Sequence, residues 1–133
     1  MKYYTRNGSR FVQASELYGM YANTDGSFTS MRTDDSYGVV VIHNFKEIVI
    51  AHLEVKSRIP WNEAVKKYKL PSRLQLLAAF ELKDMFDSND QIFWTNEEDV
   101  GYLVWCFRWS NGYIDYCYKF SDLYVREFTT IKL

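Results

Sequence analysis

Oxygen-bearing side chains concentrate at one place in the chain, Asn96-Glu97-Glu98-Asp99. Hard cations such as calcium are held by several such oxygens from one loop. Glu97, Glu98 and Asp99 are therefore the candidate metal ligands, although no EF-hand spacing surrounds them. The expected role is a solvated acidic loop that contributes to ligand binding, with no cofactor. His43 and His52 are the two histidines. A metal site needs them to converge with a carboxylate. With a turn over Asn44 to Glu47, His43 pairs near Ile48 and His52 near Val39, which keeps them apart. No serine or cysteine is spaced to use either as a base. No catalytic residue is assigned, and the chain is expected not to be an enzyme.

The cysteines, Cys106 and Cys117, match no zinc spacing. Their placement depends on a hairpin running from Tyr102 to Phe120 and folding on Asn111-Gly112, the strongest short hairpin signal. A two-residue turn there sets Trp109 against Ile114, Phe107 against Tyr116, Trp105 against Tyr118 and Leu103 against Phe120. This face is apolar throughout and is expected to be core. The other face sets Arg108 against Asp115 and Cys106 against Cys117. The thiols then stand about 5.5 Å apart at Cα, a distance a disulfide permits; a reducing compartment argues for free thiols. Tyr113, Arg108 and Asp115 line the outer face. Together with Asn96, Glu97, Glu98 and Asp99 they form the candidate ligand-binding set.

These elements sit in a chain of 133 residues, the size of one domain. Residues 1–17 read as an N-terminal arm or strand and 18–133 as the domain proper. Hydrophobic residues make up 47% of the chain, enough for one core, and aromatic residues 18%, which favours strands and binding surfaces. The net charge is −1 with no basic block, which argues against nucleic acid as a partner. No apolar run approaches the roughly 20 residues that span a bilayer, so no membrane insertion is expected. The opening residues lack the apolar stretch of a secretory signal. Synthesis in the cytoplasm is expected, with a virion as one destination.

Asn23-Thr24-Asp25-Gly26 is turn chemistry inside a hairpin over 18–30. Gly38 to His43 is β-branched and apolar, a buried strand. Ile48 to Val55 is a second strand, with Val49, Ala51, Leu53 and Val55 on one face and Ile48, Ile50, His52 and Glu54 on the other. Pro60 opens a helix whose Trp61, Ala64, Val65 and Tyr68 share a face. Ser72 and Gln75 have the spacing of a capping box. The helix behind them carries a wide apolar band from Leu74 to Met85, which predicts the more buried helix of the two.

Seven segments, in order, resemble a bacterial and phage family of C-type-lectin-like domains related to the Lcl adhesin C-terminal domain and to Fib-succ-major. They are Tyr21-Ala22-Asn23-Thr24-Asp25-Gly26-Ser27, Gly38-Val39-Val40-Val41-Ile42, and Trp61 with Ala64. Leu70-Pro71-Ser72 with Gln75-Leu76, and Phe93-Trp94-Thr95-Asn96-Glu97-Glu98, follow. Trp105, Phe107 and Ser110-Asn111-Gly112, then Tyr124-Val125-Arg126, complete the series. The resemblance implies an α+β, C-type-lectin-like fold with two helices packed on a small twisted antiparallel sheet. The calcium-lectin signatures "E-P-N" and "W-N-D" are absent, and the stretch between the helices is shorter than the family's.

The expected function is a non-enzymatic recognition or assembly module. It would be a virion structural or accessory protein of a phage (head decoration, fibre or tail component) or a bacterial surface-binding domain. Its partner would be another protein, a second copy in a homo-oligomer, or a cell-surface ligand. One alternative is a cysteine-dependent enzyme or redox protein on the wider fold, that of the formylglycine-generating oxidases. An intracellular protein-interaction domain is the other.

Overall fold

The computed structural model describes residues 2–4, 11–13, 17–87 and 90–133. Among the described residues strand far outweighs helix, and the principal element is one mixed sheet of eight strands. The expectation of a two-helix α+β lectin-like domain is thereby corrected: this is a β-rich fold with two short helices. The long strands are where the sequence reading fell short. The second predicted strand continues past Val55 through Lys56, Ser57 and Arg58, polar residues that read as its end.

In chain order the strands are β1 (Lys2–Tyr4), β2 (Phe11–Gln13), β3 (Tyr21–Asn23), β4 (Phe28–Thr29), β5 (Ser36–His43) and β6 (Glu47–Ile59). The helices α1 (Trp61–Lys67) and α2 (Arg73–Glu81) follow, then β7 (Ile92–Glu98), β8 (Leu103–Arg108), β9 (Tyr113–Tyr118) and β10 (Leu123–Lys132). Strands β1 and β2 pair with each other in a separate two-stranded sheet. The large sheet runs β4-β3-β5-β6-β10-β7-β8-β9. Every pairing is antiparallel except β10 with β7, where Tyr124 lies beside Phe93.

Alternating side chains feed cores on both faces of the sheet. On one face Val39, Val41, Val49, Ala51, Phe93, Phe107, Trp109 and Phe128 pack with Leu76 and Ala79 of α2. On the other, Trp94, Val104, Cys106, Leu123 and Val125 pack with Trp61 and Ala64 of α1. A third cluster, including Val40, Ile48 and Ile50, lies opposite the α2 face at the β5–β6 end. The predicted alternation along β6 is therefore present. A bulge displaces the β5–β6 register between Val40 and Ile42, so His43 pairs with Ile48 as expected while His52 lies opposite Gly38 rather than Val39.

Both helix starts match the sequence. Pro60 is the N-cap of α1. Ser72 caps α2 in a complete capping box: its Oγ accepts from Gln75 N–H, and Gln75 Oε1 accepts from Ser72 N–H. As predicted, α2 is the more buried helix, with three of nine residues exposed against five of seven in α1, but its apolar band is not all covered. Leu76 and Ala79 are buried, but Leu74 is 74% exposed and Leu77 is exposed as well. Val65 of α1 is also exposed.

Candidate functional site

The β8–β9 hairpin defines the site. Its connection is four residues, Trp109 to Gly112, rather than two, because Arg108 pairs with Tyr113. Gly112 adopts φ +75° and donates its N–H to Arg108 O at 2.9 Å, and Asn111 Oδ1 accepts from Tyr113 N–H at 3.0 Å. A β-carbon at position 112 would also sit 3.0 Å from the Phe80 ring. The register slips by two residues from the expected one. Each residue keeps its face, and every partner changes. Phe107 opposes Ile114, Trp105 opposes Tyr116 and Leu103 opposes Tyr118. Asp115 opposes Cys106, not Arg108, and Cys117 opposes Val104.

The expected all-core face divides in two. Phe107 and Trp109 of β8 and its connection lie buried under α2, with Phe80 edge-on to both rings. The β9 half is uncovered: Ile114, Tyr116 and Tyr118 are exposed, Tyr118 at 65%. The buried α2 residues Leu76 and Ala79 pack with Phe107 and Trp109 and with no residue of β9. Tyr113, on the opposite face, is 69% exposed, in line with its reading as the outward aromatic.

Strand β9 is the sheet edge. Lys119 N–H donates to Tyr102 O at 2.8 Å, continuing the ladder. By antiparallel alternation, Ile114, Tyr116 and Tyr118 then direct their N–H and C=O groups away from β8. Tyr116 N–H is capped by the Asp115 carboxylate at 2.7 Å. Beside this edge is a groove of about 430 Å³ lined by Ser72, Arg73, Leu74, Leu77, Glu97 and Ile114. Arg73, in the groove lining, belongs to a stack. The Arg73 guanidinium lies 4.2 Å from the Trp105 ring centre, and Trp105 lies 4.1 Å from Tyr116. Glu97 fixes Arg73 through a fork, Nε at 3.1 Å and Nη2 at 2.9 Å, and accepts the Arg73 main-chain N–H at 2.6 Å. Arg73 in turn holds the Glu97 carboxyl below its usual range.

Of the acidic residues predicted as one loop, Glu97 and Glu98 belong to a bulged strand and Asp99 follows its end. Trp94 pairs with Cys106 but Glu98 with Val104, so β7 carries extra residues at Thr95 to Glu97. The bulge lets Asn96 N–H reach Pro71 O at 2.9 Å and Thr95 O accept from the Trp61 indole. Asn96 and Asp99 are exposed. Glu97 turns to Arg73, whereas Glu98 turns to Lys119 at 2.7 Å, where the ammonium also faces the Trp61 ring. Neighbouring carboxylates thus go to different cations, and no group of three or more metal-ligating side chains occurs among the described residues. Arg108 forks onto Asp90 at 3.0 and 2.9 Å and holds that carboxyl down to about 2. Of the candidate set, only Glu97 belongs to the groove, while Tyr113 and Asp115 lie on the edge strand. The groove walls Leu74 and Leu77 were assigned to core, because an apolar helix face does not reveal how far a sheet extends beneath it.

Arg126 is the fully buried charge among the described residues. Its guanidinium lies 4.7 to 5.1 Å from the ring centres of Phe86, Trp109 and Phe93. Its Nη1 donates to His52 O at 2.6 Å and to Leu53 O at 3.2 Å. Burial lowers its pKa to about 10.

No protein-family model matches the chain, and no curated protein matches it. No helix among the described residues is long and apolar enough to cross a membrane.

Proposed function

We propose that the chain is a non-enzymatic protein-recognition or assembly module that takes up an extended segment of a protein partner along β9. The observation that carries this reading is the open edge of β9 alongside the groove of Leu74, Leu77 and Ile114. Main-chain groups that point off a sheet edge are complementary to another strand and to little else. Pockets beside such an edge select alternate side chains of the added strand. Here the added strand would direct every second side chain toward the α2 flank, so the partner segment would carry aliphatic or aromatic residues at alternate positions. Asp115 stands over the Tyr116 N–H and would swing aside on binding. Such inward-reaching charges on edges discourage unselective pairing.

A test is selection from a displayed library of unstructured peptides, followed by affinity measurement. The expected consensus alternates apolar and polar residues. Tyr116→Pro removes an outward N–H without touching the β8 ladder, and is expected to weaken binding at least about tenfold, while Tyr116→Phe retains it. Amide exchange at Ile114 and Tyr118 should slow in the complex. Peptides that bind Tyr116→Pro as tightly as the parent chain, or that protect amides away from β9, would overturn the reading.

A further inference from the structure

The two cysteines carry an inference independent of the β9 edge. They stand diagonally across the β8–β9 ladder, each facing the other's neighbour, yet their sulfurs meet: Cys106 Sγ and Cys117 Sγ are 2.7 Å apart. Both are free thiols. A disulfide bond measures about 2.05 Å, so a small side-chain rotation joins them. Their surroundings differ. Cys106 is 3% exposed and packs among Trp94, Val104, Leu123 and Val125. Cys117 is half-buried on the edge strand. A reagent therefore meets Cys117 first and cannot approach Cys106 except through it. The ionisation of the pair follows the same asymmetry. The Cys106 thiol is raised by the neighbouring Cys117 sulfur and by burial, and stays protonated. Its hydrogen bond lowers Cys117, the sulfur able to become the attacking thiolate.

We propose that Cys106 and Cys117 form an oxidisable dithiol that closes to an intrachain disulfide when the chain meets a low-molecular-weight disulfide such as oxidised glutathione. The Cys117 thiolate, its proton lost to solvent, attacks one sulfur of the oxidant and forms a mixed disulfide. The first glutathione leaves as thiolate and takes up a proton. Cys106 then bonds to Cys117 Sγ as its proton passes to the departing glutathione sulfur, and the second glutathione leaves as thiol. Two protein thiols lose two electrons and the oxidant becomes two thiols. Because Cys106 Sγ already lies beside Cys117 Sγ, its attack is intramolecular and outpaces that of an external thiol, so the pair acts as a staple. The staple ties β9, the outermost strand, to β8. The free thiols expected from sequence are the reduced state from which this closure starts.

The test uses the full chain, reduced, then held in oxidised glutathione, alkylated under denaturing conditions and weighed. The expected product is lighter than the reduced chain by two hydrogens, about 2 Da, and takes no alkyl label. Its melting temperature should rise by roughly 5 °C or more and return on adding dithiothreitol. In Cys106→Ala, Cys117 should instead hold one glutathione, which marks it as the entry thiol. Two labelled cysteines, a persisting glutathione adduct on the parent chain, or a non-reducible-to-intrachain dimer lost with Cys117→Ser would each overturn the proposal. Should Cys106→Ala fail to fold, the mass of the parent chain alone decides.

Discussion

His52 shows how one half-buried side chain sets a response of the whole fold. Its Nε2 lies 2.7 Å from Thr129 Oγ1, and its ring meets Tyr37 edge-on at 5.4 Å. Burial is the largest influence and lowers its pKa; Glu127 and Glu54 oppose it, and Lys56 and Arg126 add to it. The unfolded chain, with the ordinary value of about 6.5, takes the proton first. His52 therefore favours the folded state fully above about pH 6.5, and that contribution fades as pH falls through the depressed folded value. Melting temperature should drop between pH 7 and pH 5, and His52→Gln should flatten the slope. The lowered carboxyls of Asp90 and Glu97 contribute only at more acid pH, since their ordinary values lie near 4. A slope unchanged by the substitution would place the titrating group elsewhere.

At the scale of elements, the join between β6 and β10 depends on Arg126. Arg126 pairs with Val55 but Phe128 with Ala51, so β6 carries surplus residues opposite Glu127. The His52 and Leu53 carbonyls at this irregularity are taken up by Arg126 Nη1. A lysine keeps the charge but loses the planar group that lies among three rings and bonds two carbonyls. Arg126→Lys should cost about 2 kcal/mol in urea denaturation; a loss under about 0.5 kcal/mol would deny Arg126 this role. Elements with local signals were legible in the sequence. The Ser72–Gln75 capping box, the two-faced pattern of β6 and the hairpin around Asn111-Gly112 all depend on near neighbours. The length of that hairpin's connection was not legible, because a two-residue slip leaves every side chain on its face. The binding edge was hidden for a related reason: β8 and β9 show similar aromatic alternation, and nothing in either says which has a strand beyond it. Arg126 stands in the Tyr124-Val125-Arg126 segment with no local sign of burial, and only the packing of distant rings around it reveals a core position.

The molecule as a whole is held together by one strand. β10 lies between β6 and β7, so the main-chain ladder joins the β4-β3-β5-β6 group to the β7-β8-β9 group only through it, while α2 and the Trp94 indole bond to Ile59 O add side-chain contacts. Its long antiparallel pairing with β6 joins one group, and the parallel contact of Tyr124 with Phe93 joins the other. A chain ended at Asp122 should lose its sharp thermal transition altogether, with near-ultraviolet circular dichroism from the Trp residues collapsing. Adding residues 123–133 back as a separate peptide should restore part of that signal. Retention of a cooperative transition without β10 would mean the two groups are independent units. The lectin-like resemblance gave no warning of this arrangement, because it matched short segments and left the connections between them unread.

The strand that joins the sheet is also the last of the ten to leave the ribosome. Before Leu123 to Lys132 emerges, Val55 and Phe93 both lie on bare margins, each primed to recruit whatever extended polypeptide drifts past. Chains in which that strand is slow to dock are then the most vulnerable to clumping, and a peptide of residues 123–133 added during refolding of a chain ended at Asp122 should raise its soluble yield.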